Sequence, residues 1–130
     1  MYQLKFKNGL LYADITLVHE NKNIYIHDVV IDTGASHTVI LPDFLYENDI
    51  GFDNGDELVV MSGIGGAEAS AVKKRIDAIS IGDILLKDIM IDFGVIDPKD
   101  RINGLIGLNF LKTAKVIIDL DEMTICKKIL

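Results

Sequence analysis

The chain has 130 residues, a net charge of −7 and a sequence pI near 4.8. That acidity argues against nucleic acid, whose phosphates need Lys and Arg, and against anionic membrane surfaces. Apolar residues make up 49% of the chain and mean hydropathy is +0.30, so some apolar surface is expected to be covered by a partner.

The length predicts one domain over residues 1–130, large enough to bury roughly two-thirds of its unfolded surface. Cys126 is the only cysteine, so no disulfide can form within the chain. Met1 to Gly9 lack a signal-peptide hydrophobic core, and charge-free stretches such as Ile102 to Leu111 are too short to span a membrane. A soluble, cytoplasmic protein is the expectation.

Tyr2 to Phe6 alternate as an edge strand, and Asn8-Gly9 marks a tight turn. Leu11, Ala13, Ile15 and Leu17 then fall on one phase of a half-buried strand. Glu20 to Asn23 form a polar turn, and Ile24 to Ile31 are the returning strand. Leu41 to Asn48 hold a short helix, with Pro42 suited to its first turn. Leu58 to Ser62 and Glu68 to Ile81 read as strands around the glycines Gly63 to Gly66. The basic run Lys73-Lys74-Arg75 is expected on a solvated strand face. Gly82-Asp83 turn into Ile84 to Val95, and Pro98 to Arg101 form an exposed loop. Asn109 to Thr113 suggest a second short helix, followed by strands at Lys115 to Leu120 and Met123 to Ile129. The predicted fold class is all-β, a small closed barrel with one or two short helices.

A faint duplication runs through this pattern. Each half has a hairpin, an apolar run ending in a glycine-bearing turn, and a short helical piece. Only the first half carries Asp32-Thr33-Gly34-Ala35-Ser36, set between two apolar, β-branched runs. A carboxylate between buried strands is costly unless it is used. Gly34 lets the backbone pass close to another group, and Thr33 and Ser36 bring hydroxyls into the turn. Asp92-Phe93-Gly94 does not match, because Phe93 cannot replace a small hydroxyl residue.

The run from Asp32 to Ser36 resembles the motif of aspartic proteases, closely that of the retropepsin-like enzymes. Leu105-Ile106-Gly107, followed by Leu108 to Leu111, resembles the segment and short helix packed behind the motif in that family. Gly63-Ile64-Gly65-Gly66 stands where a family flap would be. The resemblance covers roughly Leu10 to Leu120. Ser36-His37 and Leu108-Asn109 depart from viral members and resemble the bacterial branch.

This resemblance implies a retropepsin-like barrel and hydrolysis of peptide bonds by water held between two carboxylates. Two unit charges about 3 Å apart at an effective dielectric of about 20 repel by roughly 5 kcal/mol, so one carboxyl keeps its proton. One chain has one such carboxylate, Asp32, so a homodimer is implied, with an isologous axis beside the turn. Thr33 would link the two turns across that axis, and the termini, Met1–Phe6 and Met123–Leu130, are candidates for pairing between subunits. The substrate would be an extended polypeptide under a flap tipped by Ile64. No cofactor is called for.

Other chemistries fare worse. His19, His27 and His37, expected on a turn, on a strand and just after the motif, lack metal-ligand spacing, so no metal site is expected, and His37 is expected to point to solvent. Ser36 and Ser62 lack a matched histidine base for a serine hydrolase. The alternative from another class is a non-catalytic peptide-binding or assembly module built on the same barrel.

Overall fold

A computed structural model describes residues 1–62, 66, 68–97, 99 and 102–129. Asn8 (φ 53°) and Gly9 (φ 76°) are both left-handed. This is the turn that matches strand twist in a two-residue hairpin, and it joins β2 (Lys5–Lys7) to β3 (Leu10–His19). Glu20 (φ 51°) and Asn21 (φ 64°) repeat the device between β3 and β4 (Lys22–Ile31). The register of that pair shifts between Ala13 and Ile15, where Asp28 is left-handed and donates its backbone N–H to Asp14 Oδ1.

The remaining elements are β5 (Val39–Ile40), α1 (Asp43–Tyr46), β6 (Glu57–Ser62), β7 (Glu68–Ile81), β8 (Ile84–Gly94), β9 (Gly104–Ile106), α2 (Leu108–Thr113), β10 (Val116–Asp119) and β11 (Thr124–Lys127). They follow β1 (Tyr2–Gln3) and the β2–β4 meander. The main sheet runs β2-β3-β4-β9-β5-β8-β7-β6, and a further β3–β7 pairing closes it. The fold is therefore mostly β, a closed six-strand barrel with, among the described residues, two short helices. Leu17, Ile26, Ile79, Ile91, Ile106 and Phe110 are among its fully buried side chains. No helix among the described residues is long and apolar enough to cross a membrane.

The duplication seen in the sequence has a structural counterpart. β4 and β9 pair in parallel, β5 and β8 pair in parallel, and β5 and β9 pair antiparallel between them. Each half thus contributes a strand, a loop and a second strand that crosses to the other half's strand, followed by a helix.

Three expectations are corrected. Tyr2 to Phe6 are not one strand: buried Leu4 separates β1, which joins the β1-β11-β10 sheet, from β2, the edge of the main sheet. Burying Leu4 turns the chain between the two sheets. Lys74 does not lie on a solvated face. It shares the inward phase of Ile76, is 3% exposed, and places Nζ 3.0 Å from Asp56 Oδ2 and 3.5 Å from Asp53 Oδ2. His19 is not in a turn but ends β3, buried, with Nδ1 accepting the Asp77 N–H.

Candidate functional site

The Asp32 turn begins where β4 ends. Val29, Val30 and Ile31 are buried, and their apolar side chains fix the strand in the barrel. Beyond Ile31 no further ladder position is available, and the chain must cross seven residues, 32–38, to reach β5. Small residues suit so tight a path. Asp32 donates its N–H to Ile106 O at 2.9 Å, a last bond to β9. Its Oδ1 accepts the Gly34 N–H at 2.9 Å, and its carbonyl accepts the Ala35 N–H at 3.3 Å. Asp32 and Ala35 are half-buried, while Thr33, Gly34 and Ser36 are exposed. The turn therefore presents a carboxylate at a surface rather than in a closed pocket.

Gly34 matters by proximity. A Cβ there would stand 3.2 Å from Asp32 Oδ1, close enough to displace the carboxylate by tenths of an ångström.

The segment behind the turn is Leu105-Ile106-Gly107. Leu105 and Ile106 pair with Val30 and Ile31 on one side, and Leu105 pairs with Val39 on the other. A Cβ at Gly107 would lie 2.1 Å from His37 O and 2.9 Å from Ala35 O. Backbone cannot yield that much, so only glycine fits. The same packing brings the start of α2 under the turn. Gly107 caps that helix without a side-chain bond, and the first helical N–H groups lack intrahelical partners. Here Leu108 N–H donates to Ala35 O at 2.8 Å and Asn109 N–H to Ser36 O at 3.1 Å.

Two residues missed by sequence reasoning complete the support. Thr38 is fully buried; its hydroxyl donates to Asn109 Oδ1 at 2.7 Å and accepts the Gly107 N–H at 3.1 Å. Asn109 Nδ2 donates to Met90 O at 2.9 Å. The available signal was parity: Thr38 precedes Val39 at the start of a buried run, where an unpaired hydroxyl would be costly.

His37 is half exposed, as expected for a solvent-facing ring, but it is not free. Its Nδ1 lies 3.1 Å from Asp92 Oδ2, and Asp92 is buried in β8. The Asp92 carboxylate thus serves the end of the turn. It is not a second copy of Asp32.

Of the predicted flap, Gly63, Ile64 and Gly65 lie outside the described residues. Gly66 is exposed and left-handed (φ 85°). The strands leading to it, β6 and β7, pair antiparallel up to Ser62 and Glu68. Among the described residues no group of three or more His, Cys, Asp or Glu could hold a metal ion. A hollow lined by Tyr2, Asp14, Tyr25 and His27 lies elsewhere and does not include the Asp32 turn.

A family model described as Aspartyl protease matches residues 19–110, a span that includes the Asp32 turn, both glycine segments and Asn109. No match was found among curated proteins. Among solved structures, a retropepsin-like aspartic protease from Rickettsia conorii is similar, with a TM-score of 0.60 and 21% sequence identity. That match covers 92% of this chain and 83% of the other.

Proposed function

The chain belongs to the aspartyl protease family, and from that premise we propose that it is a homodimeric endopeptidase whose active site pairs Asp32 of each subunit. One observation carries the reading. A half-buried carboxylate stands at the surface of a turn whose backbone is held from behind by Gly107 and α2. A group supported so firmly on one side and open on the other is suited to meet a symmetry mate.

In the proposed mechanism the two carboxylates share one proton. Repulsion of roughly 5 kcal/mol between two charges about 3 Å apart disfavours double ionisation. The ionised carboxylate draws a proton from a water molecule. The protonated one donates to the oxygen of the scissile carbonyl, and water attacks the carbon. The resulting tetrahedral centre collapses with protonation of the leaving nitrogen, and both carboxyls return to their starting state. Thr33 links the turns across the axis, Gly34 and Ala35 leave room for an extended peptide, and Gly63 to Gly66 cover it.

Two further features support a second copy. The Asp32 turn opens to a surface, and a cleft with half its wall on another subunit is not a hollow in one chain. Apolar side chains also remain uncovered: Leu108, next to Gly107, and Ile117, Leu120 and Ile129 in the β10–β11 region. The termini pair within the chain, Tyr2 with Ile125 and Gln3 with Thr124. Contact between subunits would then use the outer edge or the face of that sheet.

The test is Asp32→Asn, which keeps size and removes the charge. Cleavage of a peptide library should fall at least about a thousandfold, while mass in solution remains that of a dimer. Full residual cleavage would rule out the carboxylate pair. A wild-type chain that stays monomeric at high concentration and cleaves nothing would favour the binding-module reading.

A further inference from the structure

The Asp32 turn makes only two bonds within itself, from Gly34 and Ala35, and three of its five motif residues are exposed. Its shape must come from what lies behind it. A continuous set of hydrogen bonds does lie there. Gly107 N–H donates to Thr38 Oγ1, the Thr38 hydroxyl donates to Asn109 Oδ1, and Asn109 Nδ2 donates to Met90 O. The Thr38 carbonyl also accepts the Asp92 N–H at 2.9 Å. The end of the turn, the start of α2 and strand β8 are therefore joined through two side chains.

We propose that Thr38 and Asn109 are positioning residues that set the placement of the Asp32 carboxylate by locking the turn between α2 and β8, an inference that rests on the endopeptidase reading. The argument is one of saturation. The Thr38 hydroxyl uses its single proton and accepts one bond, and it is inaccessible to water, so no solvent can replace either partner. Asn109 uses both ends of its amide, acceptor toward the turn and donor toward β8. Neither Asp nor Leu of similar size offers that combination. The turn in turn caps α2 through Ala35 O and Ser36 O, so loosening either member releases the other. A displacement near 1 Å at a catalytic group can cost about a hundredfold in rate. A clamp of this kind acts on the chemical step more than on substrate affinity.

The experiment compares Thr38→Val, Thr38→Ser, Asn109→Asp and wild type in dimeric form. Thr38→Val keeps the shape and removes the hydroxyl. Asn109→Asp keeps the acceptor and sets an oxygen against Met90 O. In both, kcat should fall at least about tenfold with KM within about twofold, and Thr38→Ser should restore kcat to within about threefold of wild type. Amide exchange at Leu108 and Asn109 should quicken in Thr38→Val and Asn109→Asp but not in Thr38→Ser. Wild-type kcat in either of the two disruptive variants, or a loss that Thr38→Ser fails to restore, overturns the proposal. Should Thr38→Val not fold, Asn109→Asp decides alone. If wild type cleaves no peptide, the endopeptidase reading fails, and unchanged exchange in Asn109→Asp then overturns the clamp separately.

Discussion

The two halves of the barrel repeat one plan, β4–loop–β5–α1 and β8–loop–β9–α2, yet they do different work. The first loop spans residues 32–38 and the second 95–103. The first opens with Asp32 and small residues, the second with Val95, which is exposed. Behind the first loop stands Gly107, with backbone 2.1 Å from any added Cβ. At the second, the contact is looser in kind: Asn103 accepts the Leu41 N–H and donates to His27 O. The helices differ as well. α1 follows its N-cap Pro42 and, among the described residues, donates no backbone N–H to the second loop, whereas α2 donates two backbone N–H groups to the first. Architecture is thus shared, while the Asp32 to Ser36 run stands in one loop only. On the proposed reading the pair of carboxylates comes from two chains, because the second half offers a scaffold without the motif acid.

The comparison can be broken most severely at Gly107. Gly107→Ala forces a methyl group into the His37 and Ala35 carbonyls, and overpacking against backbone should cost about 3 kcal/mol or more. Denaturant unfolding would show the loss, and peptide cleavage should vanish with it. Lys74→Met follows. It leaves the nearly buried Asp56 carboxylate without its cation, and removing one partner of a buried pair costs about 3 kcal/mol. The same measurement should register that drop, with Lys74→Met and Asp56→Asn combined recovering part of it.

Gly34→Ala sharpens the contrast. Its Cβ meets a side-chain oxygen and not backbone, so stability should change by less than about 1 kcal/mol. Activity should still fall about tenfold or more, because the atom displaced is Asp32 Oδ1. A Gly34→Ala enzyme with full kcat would show that the carboxylate has slack.

The smallest effect concerns acid. The Lys5 ammonium, then that of Lys7, holds Asp28 down to about 2 from 3.8. A depressed carboxylate stabilises the fold above its unfolded value, and that contribution fades as pH falls from about 4 to about 2. Because Asp28 and both lysines are substantially exposed, solvent screening keeps the effect small. Melting temperature followed from pH 5 to pH 2 should drop slightly less in Asp28→Asn than in wild type, and high salt should shrink the difference.

Much of this protein was legible in its residues. Alternation in Leu10–His19 and Glu68–Ile81, and turn chemistry at Asn8-Gly9, follow from backbone preferences that act over a few residues. The motif and its glycines were legible for the same reason, since small residues at fixed spacing report local steric limits. Tyr2 to Phe6 misled because alternation cannot say which sheet a strand joins; burial of Leu4 decided that. Lys74 misled because a cation's burial depends on Asp53 and Asp56, about twenty residues away.

The sequence by itself determined strand phases, tight turns and the Asp32 to Ser36 run that marks the family, because each depends on neighbours along the chain. Only the tertiary structure decided that Thr38, Asn109 and Met90 would meet behind that acid, and that Asp92 would face His37. Hydrogen bonds between residues some twenty to seventy positions apart exist only once the barrel has closed and brought β8, α2 and the Asp32 turn into one layer.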